Sequence, residues 1–183
     1  MGTVYIFRGK AATGKSTLAN MLAKKLSIPV FCKDDVVDAL KSSKNIDKGS
    51  INNEVCYNIL YKMIQTNLDL NTDFILDIAL VDINNAKWFF GRLDFKDNNV
   101  FKFFIDCSNE DEWKRRHIER LKNPLPHQSF KSIEHVVEHY KAADIYPFED
   151  EYIIDNIKTV EESFDVINKI IHSSSKVKNR ALT

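Results

Sequence analysis

The order of apolar segments predicts an α/β domain, a doubly wound five-stranded parallel sheet with flanking helices. Three observations predict it. Strand-like and helix-like segments alternate about five times along the chain. Two strand segments, Phe74-Ile75-Leu76 and Val100 to Ile105, are continuously apolar, as strands buried on both faces are. A glycine-bearing turn also joins the first strand to the first helix close to Met1. The length of 183 residues suits one domain. With 44% hydrophobic and 28% charged residues the chain can bury a real core, which excludes disordered, collagen-like and fibrous classes.

Each element has its own signal. Thr3 to Phe7 is a short β-rich run that meets Gly9. Between Lys15 and Leu26 the apolar positions Leu18, Ala19, Leu22, Ala23 and Leu26 recur at helical spacing. Ile28 to Cys32 reads as the second strand, Asp35 to Leu40 as a helix start and Lys41 to Ser50 as a polar loop. Asn52 to Leu70 is a long helix with Val55, Ile59, Leu60, Met63, Ile64 and Leu68 on its inner side. The strands ending at Asp77 and Asp106 follow. A helix from about Glu110 to Leu121 then runs into Asn123-Pro124-Leu125-Pro126, which breaks it. Ser132 to Ala143 is helical, Tyr152-Ile153-Ile154 is the last strand and Val160 to Ile171 the last helix. The expected division is a domain over 1–172 and a frayed polar tail over 173–183.

Lys+Arg and Asp+Glu both number 26, so the net charge is zero and no general grip on nucleic acid or anionic membrane is built in. No apolar run approaches the ~18 residues needed to span a bilayer. Cys32, Cys56 and Cys107 are odd in number and far apart, making neither a metal pattern nor a disulfide framework. A reduced, cytoplasmic setting is the expectation.

The run Gly9-Lys10-Ala11-Ala12-Thr13-Gly14-Lys15-Ser16 fits GxxxxGK[ST] at every fixed position, with Thr17 following. Glycines allow a tight turn that gathers successive N–H groups around phosphate oxygens. The helix beginning near Lys15 adds the positive end of its dipole. Lys15 can reach the β- and γ-phosphates, and the Ser16 hydroxyl can ligate Mg²⁺. The chain has only five glycines, two of them in this motif, and the flanking strand and helix are the context that confirms it.

The motif alone does not separate kinases from other P-loop proteins. The sequence Asn168-Lys169-Ile170-Ile171 lacks the aspartate of a guanine-binding signature, and motor or ring ATPases need more chain. A basic, proline-broken segment before the last strand favours a small kinase. The run Phe31-Cys32-Lys33-Asp34-Asp35-Val36-Val37-Asp38-Ala39-Leu40 resembles one group of P-loop kinases. That group contains the kinase domain of polynucleotide kinase, chloramphenicol phosphotransferase and zeta-toxin-like kinases. The resemblance spans most of residues 1–172 and is close over the first forty. It implies a P-loop NTPase fold with a small helical lid, ATP as phosphoryl donor with Mg²⁺, and Asp34 as the acceptor of the hydroxyl proton. Asp35 beside it is the rival, and either aspartate could instead cap the next helix. Physically, a carboxylate at the carboxyl end of a strand adjoining the phosphate loop faces the crevice where substrates bind. Val37 stands where the polynucleotide kinases carry an arginine, which weighs against a polynucleotide acceptor. Asp77 is similar to the aspartate that serves Mg²⁺ or the acceptor in that group, with Asp106 as its rival.

Arg116 and Arg120 lie four residues apart on one helix face, with Arg115 beside them. Arginines there can bridge phosphate oxygens and neutralise charge in the transition state; the alternative is a solvated helix face, since Glu110, Asp111, Glu112 and Glu119 sit among the basic residues. In the kinases this chain resembles, such a pair begins the lid, here about 115–131. His127 falls at the lid tip, where a loop histidine is usually solvated. His135 and His139 share a helix face without a third metal ligand, and His117 and His172 receive no role. Trp88-Phe89-Phe90, Phe101, Phe103 and Phe104 read as core. Tyr57 and Tyr61 mark the long helix as the cover of the acceptor pocket. The expected activity is transfer of the γ-phosphate of ATP to a hydroxyl-bearing small molecule. A polynucleotide 5′-hydroxyl kinase and a nucleotide-dependent switch without phosphotransfer are the alternatives.

Overall fold

A computed structural model describes residues 1–47, 49 and 51–180, with side chains as far as Ser174. The elements in chain order are β1 (Thr3–Arg8), α1 (Lys15–Leu26), β2 (Val30–Cys32), α2 (Lys33–Ser42), α3 (Asn53–Asp69) and β3 (Phe74–Ile78). They continue with α4 (Ile83–Phe90), β4 (Asn99–Asp106), α5 (Glu110–Lys122), α6 (Ile133–Lys141), β5 (Tyr152–Asp155) and α7 (Val160–Arg180). The five strands form one parallel sheet in the order β2-β3-β1-β4-β5. The chain leaves β1 toward one edge and later crosses back to the other, so β1 marks the switch point where such sheets bind ligands.

Both faces of the sheet are covered, which explains the continuous apolar strands. Val4 and Ile6 of β1 join Leu60, Ile64, Leu68, Phe74, Leu76 and Phe89 under α3 and α4. Tyr5 and Phe7, pointing the other way, join Leu18, Leu22, Ile75, Phe103, Ile105 and Ile167 under α1 and α7. A third small cluster of Cys107, Trp113 and Val136, with Phe130 and Tyr140 against it, gives α5 and α6 a core of their own.

Several expectations shift. α2 starts at Lys33, directly after β2, and runs to Ser42, so the polar loop is shorter than its expected span; Lys48 and Ser50 lie outside the described residues. The inner face of α3 is Cys56, Leu60, Ile64 and Leu68, at a spacing of four. Val55, Ile59 and Met63 are 39%, 36% and 40% exposed, because the helix presents them beyond the sheet toward α2 and solvent. α4 was not anticipated, being a two-turn helix whose start, Asp82, accepts hydrogen bonds from Asn84 N and Asn85 N. α7 stays helical to Arg180 where a tail was expected from Ser173, and residues 181–183 lie outside the described residues.

The end of β1 is held by Arg8, which is fully buried. Its Nε donates to Glu151 Oε1 at 2.8 Å and its Nη2 to Glu151 Oε2 at 2.6 Å. Nη1 donates to Leu80 O at 2.9 Å and Val81 O at 3.1 Å, and Nη2 also to Tyr146 O at 2.6 Å. Phe104 and Phe148 stack against the guanidinium at 4.8 and 4.9 Å. Every one of its five donors is used. Removing one partner leaves the other as an unpaired buried charge, so Arg8→Met alone is expected to lower stability by about 3–5 kcal/mol. Pairing it with Glu151→Leu should recover a large part of that loss. Urea unfolding of the single and double variants checks this, and equal destabilisation by both would refute the account.

Candidate active site

The phosphate loop leaves β1 beside the carboxyl ends of β3 and β4, and its shape depends on two glycines. Gly9 has φ 150°, and a Cβ there would lie 2.1 Å from Ile105 O of the adjoining strand. Gly14 has φ 89°, and a Cβ there would lie 2.2 Å from Asn156 Nδ2. Ala12 between them also has a positive φ of 62°. No side chain caps α1 at Gly14, so the first-turn N–H groups that lack intrahelical partners face the loop. That arrangement suits an anion.

The loop is gripped from two sides. Asn156, after β5, donates from Nδ2 to Thr13 O at 2.8 Å and accepts from Ser163 Oγ at 2.8 Å. From α5, Trp113 Nε1 donates to Ala11 O at 2.9 Å, and His117 Nε2 lies 3.1 Å from the same oxygen. From α6, Tyr140 Oη accepts from Ala11 N at 2.9 Å. Sequence reading gave none of these residues a part, His117 included. Their pairing depends on helices far apart in the chain meeting over one loop residue. An asparagine just after the last strand was the one local signal available. Burial pushes the His117 pKa from 6.5 to about 4. Burial likewise raises the Tyr140 phenol.

A cleft of about 1730 Å³ opens over the loop. Ala11, Ala12, Gly14, Lys15, Ser16 and Thr17 line it, whereas Gly9 and Thr13 lie beneath. Thr13 is fully buried, its hydroxyl donating to Lys10 O at 2.9 Å. Lys15 donates to Asp77 Oδ1, and both side chains are buried. Asp77, in β3 beside Phe7 and Cys32, therefore stands directly behind the loop lysine. Its rival Asp106 instead lies 3.3 Å from Lys10 Nζ, and neither aspartate itself lines the cleft. Burial and the Asp77 charge push the Cys32 thiol up to about 11, so it stays protonated.

The two aspartates at the start of α2 are separated. Asp34 lines the cleft; Asp35 is exposed on the outer side of the helix. No side chain caps α2, so neither is consumed as a cap. Burial and the Asp34 charge hold the Tyr57 phenol well above its ordinary range, and it too remains protonated.

Across the cleft, Arg115 makes a two-point bond to Glu112, and Arg116 Nε donates to Glu112 Oε1 at 2.8 Å. Both arginines together pull the Glu112 carboxyl down to about 2. Arg120 lines the cleft with no ion-pair partner among the described residues. His127 is not solvated as expected. Its Nδ1 lies 2.9 Å from Asp38 Oδ2 and its Nε2 3.3 Å from Asp34 Oδ2, docking the lid tip onto α2. His135 and His139 flank the Phe130 ring at 5.5 and 5.1 Å. Among the described residues no group of three or more His, Cys, Asp or Glu is placed to hold a metal. Mg²⁺ suits such a site, since it usually takes one or two protein oxygens and completes its shell with phosphate and water.

A family model described as an AAA domain matches residues 4–143. The chain belongs to this AAA domain family. No curated protein matches it in sequence. Among solved structures, a protein from Chloroflexus aurantiacus j-10-fl superposes with a TM-score of 0.66 at 17% identity, covering 94% of this chain and 97% of that one. A gluconokinase from Sinorhizobium meliloti 1021 gives 0.58 at 14%, covering 95% and 97%. The Mycobacterium tuberculosis APS kinase in complex with AMPPNP and APS gives 0.61 at 14%, covering 93% and 98%. At these identities the likeness is one of fold, a P-loop kinase-like α/β domain. No helix among the described residues is long and apolar enough to cross a membrane.

Two outcomes follow from the grip on the loop. Because His117 folds as the neutral ring, its stabilising contribution is complete above pH 6.5 and declines as pH falls toward 4, by up to about 3 kcal/mol. His117→Gln should flatten that acid decline in urea titrations, and an unchanged slope would count against it. His127→Ala should speed amide exchange across residues 123–131 about fivefold without changing β1 or α1.

Proposed function

We propose that the protein is a kinase that moves the γ-phosphate of ATP, with Mg²⁺, to a hydroxyl of a small molecule. One observation carries this reading: a single cleft is lined by Lys15, Ser16 and Thr17 at its floor, Asp34 on one wall and Arg116 and Arg120 on the other. The resemblance of residues 31–40 to the group with chloramphenicol phosphotransferase and zeta-toxin-like kinases supports it. So do the gluconokinase and APS kinase among the fold neighbours.

The loop amides of Ala12 to Thr17 and the α1 dipole hold the β- and γ-phosphates; the Ala11 amide, expected among them, is instead paired with Tyr140. Lys15 exchanges Asp77 for phosphate oxygens as ATP enters, keeping a counter-charge throughout. Asp77, once free of Lys15, and the Ser16 hydroxyl would be the residues that hold Mg²⁺. Bound Mg²⁺ supplies charge neutralisation between the phosphates. Asp34 takes the proton of the attacking hydroxyl, and Tyr57 beside it stays a neutral donor. Arg120 and Arg116 meet the charge on the transferring group from the lid side, and closure of 115–131 excludes water. The expected cytoplasmic setting fits an enzyme that draws on ATP.

The test is transfer from γ-labelled ATP with Mg²⁺ to a hydroxyl panel, wild type beside Asp34→Asn. The panel includes sugars, nucleosides, aminoglycosides, chloramphenicol and a 5′-hydroxyl oligonucleotide. Asp34→Asn is expected to lose about 10²–10⁴-fold in kcat while binding ATP as wild type does. Equal ATP binding with no label on any acceptor would favour a nucleotide-dependent switch. Label on the oligonucleotide alone would favour the polynucleotide kinase.

A further inference from the structure

The acceptor end of the cleft has a different chemistry from the phosphate end. The arginines that line the cleft, Arg115, Arg116 and Arg120, all belong to α5 on the lid side. The same cleft is lined by Asp34 with Lys33, Asn53, Glu54 and Tyr57, by Asp82, Asn85 and Trp88, and by His127, which is held between Asp34 and Asp38. Lys33 is the one lysine or arginine of that set. Its Nζ is engaged, donating to Asn53 Oδ1 at 2.9 Å and lying 5.1 Å over the Tyr57 ring. Opposing it are the carboxylates of Asp34, Glu54 and Asp82. Asp82 is committed to backbone N–H groups of Asn84, Asn85 and Asp144. Arg92, behind Trp88, does not line the cleft. It is spread over Tyr61 and Trp88 at 4.6 and 4.9 Å and donates to Asn58 Oδ1.

Trp88 departs from the core role its sequence neighbours suggested. Phe89 is fully buried, whereas Trp88 is 48% exposed and lines the cleft. Its ring is braced edge-on by Tyr57 at 6.2 Å and backed by Arg92. An exposed indole held rigid at low entropic cost is a stacking surface for a ring. The Asn85 side chain and the Tyr57 hydroxyl beside it are hydrogen-bonding groups of the kind that read hydroxyls. A phosphate or sulfate on the acceptor would meet three carboxylates and one occupied lysine, with no arginine fork to receive it.

Resting on the kinase reading above, we infer that the acceptor is an unphosphorylated ring compound bearing several hydroxyls, neutral or amine-bearing, stacked on Trp88. Sugars, nucleosides and aminocyclitols share that chemistry. Phosphorylated or sulfated acceptors are disfavoured by the carboxylates.

Matched pairs test it: glucose with glucose 6-phosphate, adenosine with adenosine 5′-monophosphate, and kanamycin as the amine-bearing member, each with γ-labelled ATP and Mg²⁺. The unphosphorylated member is expected to be used with kcat/KM at least about tenfold higher. Trp88→Ala should raise the acceptor KM about 10- to 100-fold with kcat within about threefold, and Trp88→Phe should restore most of the loss. Preference for a phosphorylated member, or a Trp88→Ala enzyme with unchanged acceptor KM, overturns this inference and leaves the kinase reading standing. Transfer to neither member of any pair, nor to the wider panel, overturns both.

Discussion

A guanidinium cannot shed its charge inside a protein, so a buried arginine must be answered at every donor. Arg8 imposes that demand on the residue just before the phosphate loop. It is answered by Glu151 and by the carbonyls of Leu80, Val81 and Tyr146. Those partners come from the β3–α4 connection and from the approach to β5. One side chain thus ties the end of the central strand to the loop that leads toward Trp88 and to the segment that leads toward Asn156. Hydrophobic residues of similar volume in place of both Arg8 and Glu151 could fill the space with much of the stability, but they would leave those loops free to choose other paths. The interaction works by specifying where the walls of the cleft stand.

The phosphate loop depends on that placement and adds its own. Ala11 is bound through both its amide and its carbonyl by Tyr140, Trp113 and His117, and Thr13 is bound by Asn156. The bases of α5 and α6 are therefore attached to the loop itself, stabilised by the small cluster of Trp113, Val136 and Phe130. Between them the chain brings His127 onto Asp34 and Asp38. That segment therefore touches the carboxylate proposed to take the proton.

Much of this was legible in sequence, for a physical reason. Strands buried on both faces must be continuously apolar, and a phosphate loop must have glycine where φ is positive, so Phe74 to Leu76 and Gly9 to Ser16 announce themselves. That Asp34 lines the cleft was legible because the carboxyl end of a strand beside the loop has one place to face. The inner side of α3 was misread because Val55, Ile59 and Met63 satisfy helical periodicity as well as Cys56, Leu60 and Ile64 do. Periodicity identifies an amphipathic helix without saying how wide its buried stripe is. Arg8, Asn156, Tyr140 and the exposure of Trp88 were not legible. Each takes its role from a partner between about thirty and 140 residues away, and no local pattern carries that information.

The cleft that results is ordered by charge along its length. Lys15, Arg116 and Arg120 line it with Glu112 paired to Arg116, while Asp34, Glu54 and Asp82 line it with Lys33, which is held by Asn53. On the proposed reading, a phosphoryl donor would be held at the cationic end, and an uncharged acceptor could occupy the acidic end without penalty. Once transfer has occurred, the new phosphate monoester sits on a molecule surrounded by carboxylates. Attraction to Arg120 and Arg116 then competes with repulsion at the acceptor end, and lid opening removes the attraction first. On that reading, the same carboxylates that would select against a phosphorylated acceptor at entry would favour departure of a phosphorylated product.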